Sequence, residues 1–192
     1  MKPVCLVIGA GAGIGGTVGA KFAREGYHSV LCRRTRQEGL DQLVTSINKD
    51  GGSATGVLLN AIEPDTIEDQ VAAVEADIGP IEVAVYNLGS QVGDRGLSAT
   101  SYKTFEMGWR LATFGLFRLA SELCPLMVDR GHGTLLVTSA TAAVRGNRGQ
   151  HSHAASMGGR RMLCQTLNAE LGPQGIHIAH ILIDGAVDAP DT

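Results

Sequence analysis

The chain has 192 residues, of which 44% are hydrophobic and 18% charged, with a formal net charge of −3. That composition excludes extended disorder, and the length fits one domain over residues 1–192. The apolar runs are of strand length and the basic residues form no run longer than a pair, so we expect neither a membrane span nor a targeting segment, no nucleic-acid partner and a cytoplasmic location.

Apolar runs and helical segments alternate along the chain. Strands are predicted at residues 4–8, 28–33, 54–59, 82–88, 134–138 and 176–183. Helices are predicted from a glycine cluster to about residue 25, and at 37–49, 64–77, 102–128 and 152–171. Nearly continuous apolar strands separated by helices indicate a parallel sheet covered on both faces. The predicted fold is therefore α/β, a single Rossmann-type doubly wound domain of about six strands.

A glycine-rich turn follows the first strand and opens the first helix. It contains Gly9, Gly11, Gly13, Ile14 and Gly15. Glycines in this context let the backbone approach a pyrophosphate, which the free N–H groups of the helix also attract. The alternative is a merely tight turn, for which one or two glycines would suffice.

The second strand ends in Arg33 and Arg34, where a fold specific for NAD would place a carboxylate on the ribose hydroxyl. Two guanidinium groups are instead suited to a 2′-phosphate, which favours NADP(H) and leaves NAD(H) possible. The alternative is a solvated arginine pair, and Arg36 adds a third candidate.

Three motifs carry a resemblance to a known family. They are Gly9-x3-Gly13-Ile14-Gly15, Tyr86-Asn87-Leu88-Gly89, and Gly172-Pro173-Gln174-Gly175-Ile176-His177. Over essentially its whole length the chain resembles the short-chain dehydrogenase/reductase family, which implies an oxidoreductase acting on a small carbonyl or alcohol. The resemblance implies further cofactor-binding residues after strands three, four and six: Asn60 and Ala61; Asn87, Leu88 and Gly89; Asp184, Gly185 and Val187.

The same resemblance implies a catalytic Asn, Ser, Tyr and Lys. Alignment of the motifs places Ala112, Ala140, His153 and Met157 at those four positions. A thioether cannot supply the charge of a lysine, and an alanine has no hydroxyl to donate. We therefore predict a divergent member that lacks the usual set.

His153 is the one candidate acid, because an imidazole can transfer a proton near neutral pH. Ser139 or Thr141 would then serve as the oxygen partner, although strand alternation predicts that Ser139 faces away from the site. The alternative is a polar loop entering a helix, with Ser152 as its N-cap.

Two functions remain open: an NADP(H)-dependent oxidoreductase, working through His153 or through catalytic residues that the alignment misplaces, and a catalytically silent nucleotide-binding or interaction module. Members of the family continue past the sixth strand into a substrate-covering segment and a seventh strand, so the resemblance implies that both are missing here. An open sixth strand, and the aromatic residues of the long helix, predict a homo-oligomer. The four cysteines lie in apolar segments without a CxxC pair, which favours buried thiols over a metal site.

Overall fold

The computed structural model describes residues 2–89, 96–185 and 187. Within them the strands are β1 Val4–Ile8, β2 His28–Arg33, β3 Ala54–Leu58, β4 Ile81–Tyr86, β5 Gly133–Ala140 and β6 Ile176–Ile183. The helices are α1 Ile14–Arg24, α2 Gln37–Lys49, α3 Thr66–Asp77, α4 Tyr102–Trp109, α5 Gly115–Arg130 and α6 His151–Leu171. The predicted alternation is confirmed, with element ends shifted by one or two residues in most cases.

All six strands pair in parallel, in the order β3-β2-β1-β4-β5-β6. The chain winds outward from β1 to β3 on one side, then crosses back and winds outward from β4 to β6 on the other. Between β1 and β4 the strand order reverses, and such a switch point leaves a crevice at the carboxyl ends of the strands. The sheet is therefore the predicted Rossmann-type doubly wound sheet of one domain.

Two apolar layers cover the sheet, because alternate residues of each buried strand point to opposite faces. Leu6 and Ile8 of β1 belong to the layer under α3, α5 and α6. Cys5 and Val7 of the same strand belong to the layer under α1 and α2. Burial on both faces explains why the strands form continuous apolar runs in the sequence.

The stretch Tyr102–Arg130 is long and apolar enough to cross a membrane by length and composition alone. In this fold it is a core helix, because Leu116, Leu119 and Leu123 are buried against the sheet. A helix that packs its leucines on a sheet passes the same length and composition criteria as a membrane span.

The predicted single helix over 102–128 is interrupted by a π-helical turn, Arg110–Phe114. Two carbonyls of this turn accept bonds from outside the helix. The hydroxyl of Tyr86 donates to Leu111 O at 2.5 Å, and Nε of Arg160 donates to Ala112 O at 2.8 Å. These donors come from a strand and another helix, so the apolar periodicity of the segment could not predict the turn.

Candidate functional site

The glycine turn between β1 and α1 lies against the end of β4. Gly9 has φ +100°, and a Cβ atom there would lie 2.7 Å from the carbonyl oxygen of Asn87. A Cβ at Gly15 would lie 2.8 Å from Nδ2 of Asn87 and would also collide with the Gly9 carbonyl. These two positions therefore require glycine for close backbone packing. A Cβ at Gly11, by contrast, would meet no described atom within 4 Å, which leaves space above the turn.

Helix α1 begins at Ile14, directly after this turn. Gly13 at its N-cap has no side-chain cap, and the first turn of the helix contains no acidic residue. A helix end without a side-chain cap, with open space above it, suits an anion such as a pyrophosphate.

Asn87 fastens the turn to the sheet. Its Nδ2 donates to the Gly9 carbonyl at 2.9 Å, and its Oδ1 accepts from the hydroxyl of Thr138 at 2.8 Å. Its backbone N–H donates to Ile8 O at 2.8 Å. One side chain therefore joins the carboxyl ends of β1, β4 and β5, which form the floor of the crevice.

A cleft of about 520 Å³ opens at this edge of the sheet, between the strand ends and α6. It brings together many of the residues predicted from sequence. They are Ile14, Asn87, Leu88, Gly89, His153, Gly185 and Val187, joined by Thr138, Ser139, Ala140, Met157, Arg160 and Ile183. Asp184 follows β6 as an exposed residue beside the cleft and is not part of its lining.

Three of the four catalytic positions inferred from the resemblance lie at this cleft. His153, Met157 and Ala140 line it, whereas Ala112 lies fully buried behind it in the π turn. The prediction that Ser139 faces away is wrong. Its hydroxyl is 3.6 Å from the sulfur of Met157, because Ser139 alternates with Leu135 and Val137 along β5 and so points to the face that α6 covers.

The start of α6 also differs from the prediction. The helix begins at His151, Gln150 is its N-cap, and no side chain caps it. Ser152 is therefore not the N-cap; its hydroxyl lies in the first turn, 3.1 Å from Phe105 O on α4. The segment is helical from His151 onward, which carries His153 to the wall of the cleft instead of leaving it in a polar loop.

The other half of the crevice is formed by the ends of β2 and β3. Arg33 is half-buried and Arg34 exposed, one after the other at the end of β2. After β3, Ala61 is buried and Asn60 donates from Nδ2 to Glu63 at 3.1 Å. Oδ1 of Asn60 is buried and has no hydrogen-bond partner among the described residues. An unused acceptor here is suited to the amino group of an adenine.

These features together fit a dinucleotide. The uncapped helix end and the space above Gly11 accommodate a pyrophosphate, Asn60 offers an acceptor to a base, and the two arginines offer donors to a ribose phosphate. The cleft beyond Asn87 would then take the nicotinamide end and a substrate.

Sequence reasoning missed Arg160, which it treated only as half of a basic pair. The guanidinium is fully buried and donates to Leu88 O at 2.7 Å, Thr138 O at 2.6 Å and Ala112 O at 2.8 Å. One signal was available. Arg160 lies seven residues after His153, so the two share a helix face with buried Met157.

An ion pair that the sequence analysis did not predict stabilises the loop after β3, at the carboxyl edge of the sheet. Nε of Arg118, on α5, donates to Glu68 at 2.7 Å, and its Nη1 donates to Ala61 O at 2.9 Å. The hydrogen bond from Arg118 lowers the pKa of the Glu68 carboxyl. This contact holds the loop after β3 against α5.

Comparisons with known proteins agree with this geometry. A family model described as short chain dehydrogenase matches residues 3–190. The chain is similar to the 3-oxoacyl-[acyl-carrier-protein] reductase FabG of Thermotoga maritima, with 29% identity over 98% of the chain and 76% of the relative. It is also similar to the short-chain reductase protein NovJ of Streptomyces niveus, with 30% identity over 98% of the chain and 71% of the relative.

Solved structures show the same likeness. A short-chain dehydrogenase from Rhodopseudomonas palustris has a TM-score of 0.90 and 34% identity, covering 95% of this chain and 85% of that one. A short-chain dehydrogenase from Sphingobium yanoikuyae, in complex with NADPH, has a TM-score of 0.86 and 27% identity, covering 95% and 71%. With its sheet order, its glycine turn and the match over residues 3–190, the chain belongs to the short-chain dehydrogenase family of oxidoreductases.

Proposed function

We propose that this chain is an NADP(H)-dependent oxidoreductase that interconverts a small carbonyl compound and its alcohol. The observation that carries the proposal is the cleft, where the glycine turn, the Asn87 contacts and the imidazole of His153 meet at one edge of the sheet. The relatives named as reductases, and the relative solved with NADPH, support the same reaction class.

The preference for NADP(H) rests on the end of β2. Arg33 and Arg34 occupy the position at which a carboxylate would bind a 2′-hydroxyl. Guanidinium groups bind a phosphate through paired, charge-assisted hydrogen bonds, whereas they give a hydroxyl no comparable contact. The 2′-phosphate of NADP(H) is therefore the feature that this end of the crevice selects.

His153 is the proposed proton donor in reduction. A reduced nicotinamide cofactor, when bound, supplies the hydride to the carbonyl carbon. His153 gives its proton to the carbonyl oxygen, which completes the alcohol, and solvent returns a proton to the imidazole. Ala140 and Met157, also on the cleft wall, have no proton to give, and the hydroxyls of Thr138 and Ser139 donate to Asn87 and to the Met157 sulfur. The role of acid is therefore assigned to the histidine.

The experiment is a set of aldehydes and ketones tested with NADPH, with NADPH oxidation as the readout. We expect slow turnover that is lost in His153→Phe, because positioned acid catalysis contributes roughly 10²- to 10⁴-fold. His151→Phe is the matched control, since His151 is an exposed neighbour on the same helix. Equal turnover by the wild-type chain and His153→Phe would show that another group supplies the proton.

A second candidate is a silent module that binds nucleotide without turnover. The contact between Ser139 and the sulfur of Met157 favours this candidate. It directs a buried hydroxyl of the cleft wall at an apolar side chain, where the hydroxyl does not face a substrate. Tight NADPH binding with no oxidation of NADPH by any substrate in the set would select this candidate.

We also propose that the chain forms a homo-oligomer in the cytoplasm, through the outer face of α4 and α5. Trp109 and Phe117 are 44% and 52% exposed there, and Trp109 stacks on Phe114 at 5.2 Å. Neighbouring exposed aromatic side chains on one helical face are typical of a surface that a second copy covers.

A further inference from the structure

Arg160 is a buried cation whose three hydrogen bonds go to backbone carbonyls. Its side chain is 0% exposed, and its three nitrogens donate to the carbonyls of Leu88, Ala112 and Thr138. The guanidinium carbon also lies 5.3 Å from the ring centroid of Tyr86. These contacts come from the end of β4, the π turn and the end of β5. One side chain therefore joins three of the segments that surround the cleft.

The positive charge of Arg160 has no carboxylate to balance it within the part of the chain that the structure describes. Carbonyl dipoles solvate the guanidinium but carry no net charge. Burial lowers the pKa of Arg160 to about 10, so the group remains protonated at neutral pH. Because the charge is removed from solvent, salt and water screen it poorly.

This charge lies directly behind the cleft. His153, Met157 and Arg160 follow one another at four and three residues along one face of α6, and all three contribute to the cleft wall. The sulfur of Met157 contacts Ser139, while Nη1 of Arg160 contacts the carbonyl of the preceding residue, Thr138. The cation thus lies beside the strand end against which a nicotinamide would lie, and because its side chain is 0% exposed it would act on the ring through its electric field and not through direct contact.

A fixed positive charge distinguishes the two redox forms of such a ring. The oxidised nicotinamide carries a positive charge, whereas the reduced ring is neutral. We infer that Arg160 is a positioning residue that makes the cleft bind the reduced cofactor in preference to the oxidised one, and so keeps the site loaded for reduction. This inference rests on the proposed function, since it requires a nicotinamide in the cleft.

The test compares dissociation constants for NADPH and NADP⁺, measured by titration calorimetry on the full chain. We expect the wild-type chain to bind NADPH more tightly. Arg160→Met should reduce that preference by about threefold or more, the size expected when one poorly screened charge is removed. Arg160→Lys should retain most of the preference. Arg161→Met is the matched control, because it removes the same charge from the next, partly exposed position of α6.

A second variant serves in case Arg160→Met does not fold. Met157→Lys keeps the arginine and adds a cation to the cleft wall, so it should increase the preference for NADPH. A merely structural role for Arg160 predicts instead that Arg160→Met weakens both redox forms equally. An unchanged ratio in Met157→Lys would show that a positive charge at this wall does not distinguish the two redox forms. Either of those results would overturn the inference about Arg160 and leave the proposed function standing. Failure of the wild-type chain to bind both forms overturns the proposed function, and the inference with it.

Discussion

Asn87 should be a principal source of stability at the carboxyl edge of the sheet, and Asn87→Ala tests this. The change removes the bonds to Gly9 O and from the Thr138 hydroxyl, at 2.9 and 2.8 Å. Each such bond contributes about 1 kcal/mol net, and a buried group left unpaired costs about 1–3 kcal/mol more. Both former partners keep an alternative, however: Gly9 O also accepts from Gly11 N, and the Thr138 hydroxyl lies 3.4 Å from Tyr86 O.

The expected loss is therefore near the sum of the two bonds, about 2–3 kcal/mol in the free energy of unfolding. For a chain of this length that corresponds to a fall in Tm of roughly 4–12 °C. Urea denaturation followed by circular dichroism measures the first quantity, and a thermal scan the second. Asn168→Ala is the matched control, because it makes the same change on the exposed face of α6 and should cost less than about 0.5 kcal/mol.

A double-mutant cycle with Thr138→Val isolates the hydroxyl contact. If the two side chains interact as the structure has them, the double variant should lose less stability than the sum of the single variants, by about 0.5–1 kcal/mol. Additive losses, or an Asn87→Ala variant as stable as its Asn168 control, would refute the reasoning that this side chain holds the edge together.

Four further outcomes are expected. Replacing Arg33 and Arg34 by alanine should remove the preference for NADPH over NADH and leave NADH affinity nearly unchanged in equilibrium titration; equal affinities in the unmutated chain would contradict it. His153→Phe should abolish NADPH-dependent carbonyl reduction in initial-rate assays, and unchanged rates would place the acid elsewhere. Ala179→Lys, on β6, should leave the self-association proposed for α4 and α5 unchanged in size-exclusion with light scattering; weakened association would place the contact on β6, and a wild-type chain that stays monomeric at high concentration would exclude the oligomer. Because the pKa of Glu68 is lowered in the fold, its contribution to stability is present above the unfolded-state pKa and lost as pH falls through the folded value, so Glu68→Gln should flatten the acid limb of a stability profile measured by urea denaturation.

The sequence alone determined the order and type of the elements and the position of the crevice. Strands buried on both faces are apolar at nearly every position, so β1 and the interior of β2 could be bounded directly from their composition; β6 keeps the same apolar run although Ile181 and Leu182 are exposed. The glycine turn could also be predicted from the sequence, because the close approach of Gly9 and Gly15 to Asn87 permits no side chain at either position. Such features depend on the types of residue at the positions that adopt them, so they can be recognised in the sequence.

The tertiary structure decided what the local pattern could not carry. The prediction for Ser139 failed because tertiary packing decides which face of β5 meets α6, and the π turn in the long helix forms around donors from β4 and α6. In the sequence Arg160 is only half of a basic pair, yet one of its hydrogen-bond partners, Leu88, is 72 residues away in the chain. A buried charge is stable only where carbonyls from distant segments converge on it, and that convergence exists only once the chain has folded.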